Sequence, residues 1–493
     1  MSPTTSRLAV RRLSVLSLAV SLASCANFHG LTPGSKGLDA KTLQAGQSLN
    51  GITLSPAAWP KSDWWTSLGD PQLDGLIREA LRDSPDLQIA QARAHQARAQ
   101  AYAADADRMP TVNAEAGITR ARISREQDPT GQGDLLATER TMDLSFNYNF
   151  DLWGGQRANW EAALGQAKAS EVDRQAAALT LAADVARAYS DLGQAYIVDD
   201  LAQDDLKRTS QMLTLGKRRL DSGIDSDYQY QQTESLAATS QEEAVDARKR
   251  VESARIALAV LLGKGPDRAN TIARPNVLQP SVVALPSVLP AELLGRRPDL
   301  VAARWRVEAA RKGIDASKTR FYPNLNLSAA AGTQSILGDA LFGTPSKFFN
   351  VGPTVSLPIF DGGRLRADLD ARDADYELAV AQYNKSLIQA LGDVSDTVTQ
   401  LQAIARQITA QQRATQVSQQ SYDTGTRRYG SGVGNYLDVL TIEQQLLQAQ
   451  RQLASLNAEQ IDLSIKLMQA LGGGYQDAAL AAAPAVTSAR TTD

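Results

Sequence analysis

The chain has 493 residues, a net charge of −3, one cysteine, two histidines and 5% aromatic residues. This length exceeds what one hydrophobic core supports, so several units or an elongated architecture are expected. The near-neutral charge gives no basic field for nucleic acid, and a single cysteine excludes an intramolecular disulfide. His29 and His95 do not cluster with Cys or carboxylates, so no metal site or non-covalent cofactor is predicted.

Residues 1–24 have the layout of a secretory signal: arginines precede the apolar run LSVLSLAVSLA, which is too short for a membrane helix. The segment LASC resembles the cleavage box of bacterial lipoproteins and makes Cys25 the acylated first residue of the mature chain. The alternative is an ordinary signal peptide with an incidental cysteine. No Asp follows Cys25, and the same resemblance then implies sorting to the outer membrane of a Gram-negative cell.

The rest of the chain repeats itself. Two segments align without gaps: SPDLQIAQARAHQARAQAYAADADRMPTVNAEA and RPDLVAARWRVEAARKGIDASKTRFYPNLNLSA. A shorter segment, RRLDSGIDSDY, recurs 209 residues later as RRYGSGVGNYL. A repeat of this size predicts two copies of one structural unit. The predicted divisions are a lipid-anchored extension over 25–66, a first repeat over 67–263, a linker over 264–289, a second repeat over 290–472 and a flexible tail over 473–493.

Two segments of each repeat alternate between apolar and polar residues, TMDLSFNYNF most strictly. About ten residues of such alternation is the length of a tilted transmembrane β-strand, although half-buried soluble hairpins alternate too. The export signal and the long loops between the segments favour the membrane. The strands are predicted at about 111–123, 138–150, 323–333 and 348–360.

Four strands cannot close a barrel, and an open sheet edge in lipid leaves backbone groups unpaired. Three chains would supply twelve strands around an aqueous lumen lined by the polar faces. The predicted fold class is therefore an internally duplicated α+β membrane protein, a homotrimer with a 12-stranded transmembrane β-barrel in outer-membrane lipid.

Proline-free stretches of about 65 residues follow the second strand of each repeat and span roughly 100 Å if helical. Such helices need lateral packing, as in a coiled coil. Helices are predicted at about 155–220 and 363–428, with antiparallel returns at about 226–262 and 435–471. A free-standing coiled coil would explain the helices and leave the strands unexplained.

Five motifs occur in one order: WWTSLGDPQLDGLI, RRPDL, FYPNLNL, LPIFDGGR and YGSGVGNYLDVL. With the duplication, they resemble the TolC-like outer membrane efflux protein family, in particular its OprM/NodT-type lipoprotein branch. The resemblance implies a long periplasmic α-helical barrel that continues the β-barrel. It also implies a passive exit duct for drugs or other small molecules, which serves a periplasmic adaptor (membrane fusion) protein and an inner-membrane RND-type pump.

The resemblance also assigns roles to residues near the two helix reversals, the breaks between the long helices of each repeat. It places them at the periplasmic end, in contact with the adaptor, and assigns this contact to Arg219, Leu220, Ser222, Gly223, Ile224, Arg428, Tyr429, Ser431, Gly432 and Val433. It matches Asp438 to a carboxylate of the periplasmic gate, whereas Gly434 and Thr441 replace the gate's basic partner and second acid. Turns that bind nothing and a solvated Asp438 are the alternatives.

Two other classes of function are compatible with parts of the sequence. A lipid-anchored structural scaffold of the envelope would have no pore. A periplasmic hydrolase lacks support because the chain has no G-x-S-x-G elbow or phosphate loop. The adjacent acids Asp199, Asp200, Asp204 and Asp205 are interpreted as a solvated helix face. No enzymatic activity is predicted, and the sequence does not name the cargo.

Overall fold

The computed structural model describes residues 34–38, 59–122, 136–276, 278, 295–335, 341–431, 433 and 436–476. The predicted signal segment, Cys25, Gly432 and most of the predicted extension, linker and tail lie outside these residues. The described elements are α1 (Pro71–Asp83), α2 (Pro85–Ala106), β1 (Thr111–Arg122), β2 (Leu136–Phe150), α3 (Gly155–Asp221), α4 (Asp227–Leu261), α5 (Pro298–Thr319), β3 (Asn324–Ser335), β4 (Lys347–Ser356), α6 (Arg364–Gly430) and α7 (Tyr436–Ala470). The chain divides into two compact units, of which the first includes residues 94–170 and 303–383.

The first unit contains an antiparallel sheet with strand order β1-β2-β3-β4. The pairing of β2 with β3 joins the two repeats, and Phe146 lies opposite Ala329 there. Because side chains alternate along a strand, this register gives the sheet one apolar face and one mostly polar face. The apolar face carries Val112, Ala114, Ala116, Ile118, Met142, Leu144, Phe146, Tyr148, Phe150, Leu325, Leu327, Ala329, Ala331, Phe349, Val351, Pro353 and Val355.

Strand β4 ends at Ser356, four residues before the predicted end at Phe360. Ser356 pairs with Asn324, the first residue of β3, so β3 offers no partner beyond this point. Pro358 also has no amide N–H to donate to a ladder. The apolar side chains that follow Ser356 therefore lie outside the sheet.

The dipeptide Phe-Asp precedes both long helices, at residues 150–151 and 360–361. Asp151 accepts hydrogen bonds from the backbone N–H groups of Gln156 (3.0 Å) and Arg157 (2.8 Å) at the start of α3. Asp361 likewise accepts bonds from the backbone N–H groups of Gly363 (3.0 Å) and Leu365 (2.8 Å) at the start of α6. Each carboxylate satisfies N–H groups that the first helical turn leaves without partners, which explains why Asp recurs at this place.

The second unit has a hydrophobic core to which the motif WWTSLGDPQLDGLI contributes. Its apolar residues pack against the middle of α3, the end of α4 and part of α7. The cluster includes Trp64, Leu68, Leu73, Leu76, Ile77, Val185, Tyr189, Leu192, Val251, Leu258, Ile461 and Ile465. The motif therefore forms core rather than a ligand site.

Asp70 anchors this core. Its carboxylate caps α1 through the N–H of Gln72 (2.9 Å) and accepts bonds from the Tyr189 hydroxyl (2.6 Å) and the Asn276 N–H (3.1 Å). Burial raises the pKa of Asp70, but these bonds outweigh it and hold the pKa below its ordinary value.

We expect Asp70→Ala to destabilise the fold by about 3 kcal/mol, because it removes a helix cap and leaves the buried Tyr189 hydroxyl without its acceptor. Since the folded pKa is lowered, the contribution of the charge is present above the ordinary pKa of 3.8 and is lost as pH falls through the folded value. The thermal unfolding midpoint measures this loss. Asp70→Asn keeps a cap acceptor and should cost less; equal losses in both variants would contradict the capping role.

Candidate functional site

The first helix reversal lies between α3 and α4. Gly223 has φ = +69°, in the left-handed region that only glycine adopts freely. The N–H of Ile224 donates to the carbonyl of Arg219 (2.9 Å), which closes the end of α3 as in a Schellman motif. Ser226 then starts α4 in a capping box with Gln229. The reversal is thus closed on both sides by its own residues.

The second reversal repeats these bonds. The N–H of Val433 donates to the carbonyl of Arg428 (3.1 Å), as Ile224 does in the first reversal. The Ser431 hydroxyl donates to Arg427 O (2.9 Å), and Ser222 donates likewise to Arg218 O (2.8 Å). The sequence repeat is therefore also a repeat of backbone geometry.

The two reversals differ in charge. Arg219 makes a bidentate ion pair with Asp225, with Nε–Oδ2 and Nη2–Oδ1 distances of 2.8 and 3.0 Å. Gly434 occupies the position equivalent to Asp225 in the second copy. Within the part of the chain that the structure describes, Arg428 has no ion-pair partner. In the first reversal Asp225 therefore neutralises the charge of Arg219, whereas the second reversal keeps the positive charge of Arg428.

The reversals lie side by side in the second unit. The guanidinium of Arg219 is 5.2 Å from the ring centroid of Tyr429, a cation–π contact. Tyr429 is buried, whereas Ile224 and Val433 are 65% and 72% exposed. Of the predicted tip residues, Arg219 and Tyr429 hold the reversals together, and Ile224 and Val433 present apolar side chains to solvent.

Asp438 lies in the first turn of α7, where the helix dipole favours a negative charge. It is exposed and lines an open groove with Ser421, Arg428 and Val439. Among the described residues no hydrogen bond or ion pair to its carboxylate is present. The geometry leaves this carboxylate available to solutes, and its gate role stays a prediction.

A buried charged network lies behind the reversals. Arg208 Nε on α3 contacts Glu443 Oε1 on α7 at 2.7 Å, and its Nη2 lies 3.7 Å from Asp205 Oδ1. The Ser240 hydroxyl on α4 donates to Asp205 Oδ2 (2.7 Å). Glu443 and Asp205 are only 2% and 5% exposed. One guanidinium thus compensates two buried carboxylates and links α7 to the helices of the first repeat.

The interpretation of the four helix acids as a solvated face is wrong for two of them. Asp205 is buried in the network, and Asp199 is buried beside Arg248 (3.4 Å). Asp200 and Asp204 are exposed, as expected. One feature of the sequence could have indicated that Asp205 is paired: Arg208 follows it by one helical turn. The sequence positions of Ser240 and Glu443 do not indicate that they contact this pair.

Burial raises the pKa of Glu443, and the positive charge and hydrogen bond of Arg208 oppose that rise only in part. Its Oε2 atom has no hydrogen-bond partner among the described residues. A second ion pair, between Arg451 and Glu243, also joins α7 to α4. Further along α7, Asp462 pairs with Arg187 of α3 at 2.9 Å. Charged contacts therefore hold α7 in place along its length.

The comparisons with known proteins agree with this geometry. The family model "Outer membrane efflux protein" matches residues 76–264 and 289–473. The chain belongs to the outer membrane efflux protein family. It is therefore an outer-membrane efflux channel, and the predicted family, the internally duplicated helix-and-strand fold and the outer-membrane location are confirmed.

Relatives share most of the chain. The fusaric acid resistance protein FusA of Burkholderia cepacia is 36% identical over 73% of this chain and 69% of its own. The pyoverdine export outer membrane protein OpmQ of Pseudomonas aeruginosa is 31% identical over 95% of this chain and 98% of its own. The crystal structure of the outer membrane protein VceC of Vibrio cholerae superimposes with a TM-score of 0.77 at 36% identity, covering 85% of this chain and all of VceC (100%). OpmQ and VceC are named as outer membrane proteins, and FusA is named for resistance.

None of the described helices combines the length and the apolar character needed to cross a membrane. The described residues also contain no group of three or more His, Cys, Asp or Glu side chains placed to hold a metal ion.

Proposed function

We propose that the protein is the outer-membrane exit duct of a tripartite efflux machine and acts as a homotrimer. A periplasmic adaptor protein would dock on its helix reversals, and an inner-membrane RND-type pump would supply the energy. The observation that carries this proposal is the sheet, whose broad apolar face is exposed at Val112, Ile118, Leu144, Phe349 and Val351. A face of this kind requires a lipid or protein environment.

The strand edges support the trimer. In the described sheet, β1 pairs only with β2 and β4 only with β3, so both edges present unpaired backbone groups. In hydrocarbon such groups cost several kcal/mol each, so pairing β4 of one copy with β1 of the next is strongly favoured. Three copies would close twelve strands into a barrel with an aqueous lumen.

The mass of the detergent-extracted protein, measured by light scattering from the outer-membrane fraction, tests the assembly. We expect the mass of three chains after subtraction of detergent. A monomer or dimer that is released without detergent would contradict the duct and favour a lipid-anchored envelope scaffold.

The proposed cargo is a drug or another small organic molecule. One relative is named for fusaric acid resistance and another for pyoverdine export. Loss of the gene should raise the intracellular accumulation of such compounds, and plasmid-borne protein should reverse that rise.

The proposed anchor is a lipid on Cys25. It rests on the resemblance of LASC to the lipoprotein cleavage box. Intact-mass measurement of the mature protein should find acyl chains that are missing in Cys25→Ser. A mature chain that begins elsewhere and carries no acyl group would leave an ordinary signal peptide.

The proposed gate contains Asp438. Three copies of this exposed carboxylate around one axis would concentrate cations at the entrance. We expect Asp438→Ala to lower the cation-to-anion permeability ratio several-fold in planar bilayers. Asp227→Ala, which removes a first-turn acid of α4, is the matched control and should leave the ratio unchanged. Unaltered conductance and selectivity in Asp438→Ala would refute the assignment.

A further inference from the structure

The apolar face of the sheet becomes cationic at one end. This end lies away from the α-helices: β1 ends here at Arg122 and β2 begins here at Leu136, whereas α2, α3, α5 and α6 adjoin the opposite end of the strands. The helical structure described at this end is one 3-10 turn, Thr344–Ser346. Arg140 lies opposite Ile118, Arg120 opposite Thr138 and Lys347 opposite Thr333. By strand alternation, Arg120, Arg122, Arg140 and Lys347 share the face of Leu144 and Phe349.

The charges of the sheet are separated completely by face. The four strands contain four cationic residues, all on the apolar face, and three acidic residues, all on the polar face. The acids are Glu115, which pairs with Asp143, and Glu139, which pairs with Thr119. The apolar face therefore carries positive charge at this end, and the acids of the strands lie on the opposite face. We call Arg120, Arg122, Arg140 and Lys347 the cationic belt.

The position of the belt matches a membrane boundary. Ten residues separate Arg140 from Phe150, about 33 Å of strand, or about 25 Å of height at the usual tilt of transmembrane strands. This is the height of a lipid-facing apolar band. At the other boundary, Trp153 stacks on Tyr322 with ring centroids 4.8 Å apart, as amphipathic aromatic residues do at a membrane interface.

The chemistry of the belt selects its partner. Arg side chains bind phosphate through paired N–H donors, and cations at a membrane surface attract anionic headgroups. Arg120, Arg122 and Lys347 are exposed, and Arg140 is half-buried. If the proposed function is right, the helices extend into the periplasm and the belt faces the outer leaflet. We infer that the cationic belt binds the phosphate groups of a phosphorylated glycolipid, of the lipid A type, in that leaflet.

The test uses the full chain extracted from the outer membrane in detergent. The variant Arg120→Gln/Arg140→Gln/Lys347→Gln is compared with wild type for binding of diphosphorylated lipid A and of its dephosphorylated form. We expect wild type to prefer the diphosphorylated form at least tenfold and the variant to lose this preference. The control Lys207→Gln/Lys217→Gln/Arg413→Gln removes three exposed cations from the long helices and should bind as wild type does.

A variant that keeps the preference, or wild type that binds both lipids equally, would overturn the inference. Displacement of the lipid by inorganic phosphate at equal phosphate concentration would also overturn it, because it would show a site for free phosphate. The oligomer mass and bilayer conductance of the same preparations separate this inference from the proposed function. A conducting trimer without phosphate preference refutes only the belt, and a non-conducting monomer refutes the duct.

Discussion

Export should be lost when the exposed tips of both helix reversals become charged. We expect Ile224→Asp/Val433→Asp to reduce resistance to an exported drug at least tenfold, to the level of a strain without the gene. Both side chains are mostly exposed, so the fold should tolerate the change. Buried carboxylates at an apolar docking surface would lack partners, which weakens adaptor binding strongly. Drug susceptibility and crosslinking to the adaptor measure the effect.

The control for this variant is Val245→Asp. Val245 is 61% exposed on α4, away from the reversals, and matches Ile224 in size class and exposure. We expect normal resistance from the control and unchanged amounts of assembled protein in the outer membrane from both variants. Normal resistance in Ile224→Asp/Val433→Asp would show that the reversals are only turns.

The second large effect is expected at Arg208. Replacement by Leu leaves Glu443 and Asp205 buried without their shared cation, which should destabilise the protein by about 3–5 kcal/mol at neutral pH. Burial already raises the pKa of Glu443, and loss of Arg208 removes the main opposing charge. We therefore expect the unfolding midpoint of Arg208→Leu to fall well below that of wild type.

The pH dependence of this loss follows from the direction of the shift. Because the folded pKa of Glu443 lies above its ordinary value of 4.5, the unfolded chain binds fewer protons in this window, and stability falls as pH rises through it. The deficit of Arg208→Leu should be largest at pH 8 and smaller near pH 4.5. The double variant Arg208→Leu/Glu443→Leu, which replaces the pair by apolar groups, should regain much of the stability. A deficit that is independent of pH and of Glu443 would contradict the network.

Part of the candidate site was predictable because its signals are local. The reversals follow from Gly223 and the serines near it, which close the end of a helix through bonds spanning at most six residues. The strands follow from a period of two, and the proline-free runs predict the long helices. Because the sequence is duplicated, each reversal, strand and helix predicted in the first repeat is also predicted in the second.

The rest depended on which helices meet. Glu443 lies 235 residues from Arg208, and no periodicity links them. Asp205 in a polar sequence context resembles a solvated acid until α4 and α7 cover it. Likewise, Tyr429 appears as a tip residue in the sequence, but the contact with Arg219 makes it part of the packing between the reversals.

The sequence by itself therefore determined the elements, the duplication, the two reversals and the family. Hydrogen bonds within helices and turns, and the alternation of side chains along strands, depend on near neighbours, so composition and spacing predict them. Only the tertiary structure decided which acids are buried, that Arg208 pairs with Glu443, that Arg219 packs against Tyr429, and that all strand cations share one face with the apolar residues. Burial and charge pairing depend on the approach of segments hundreds of residues apart, which local patterns do not specify.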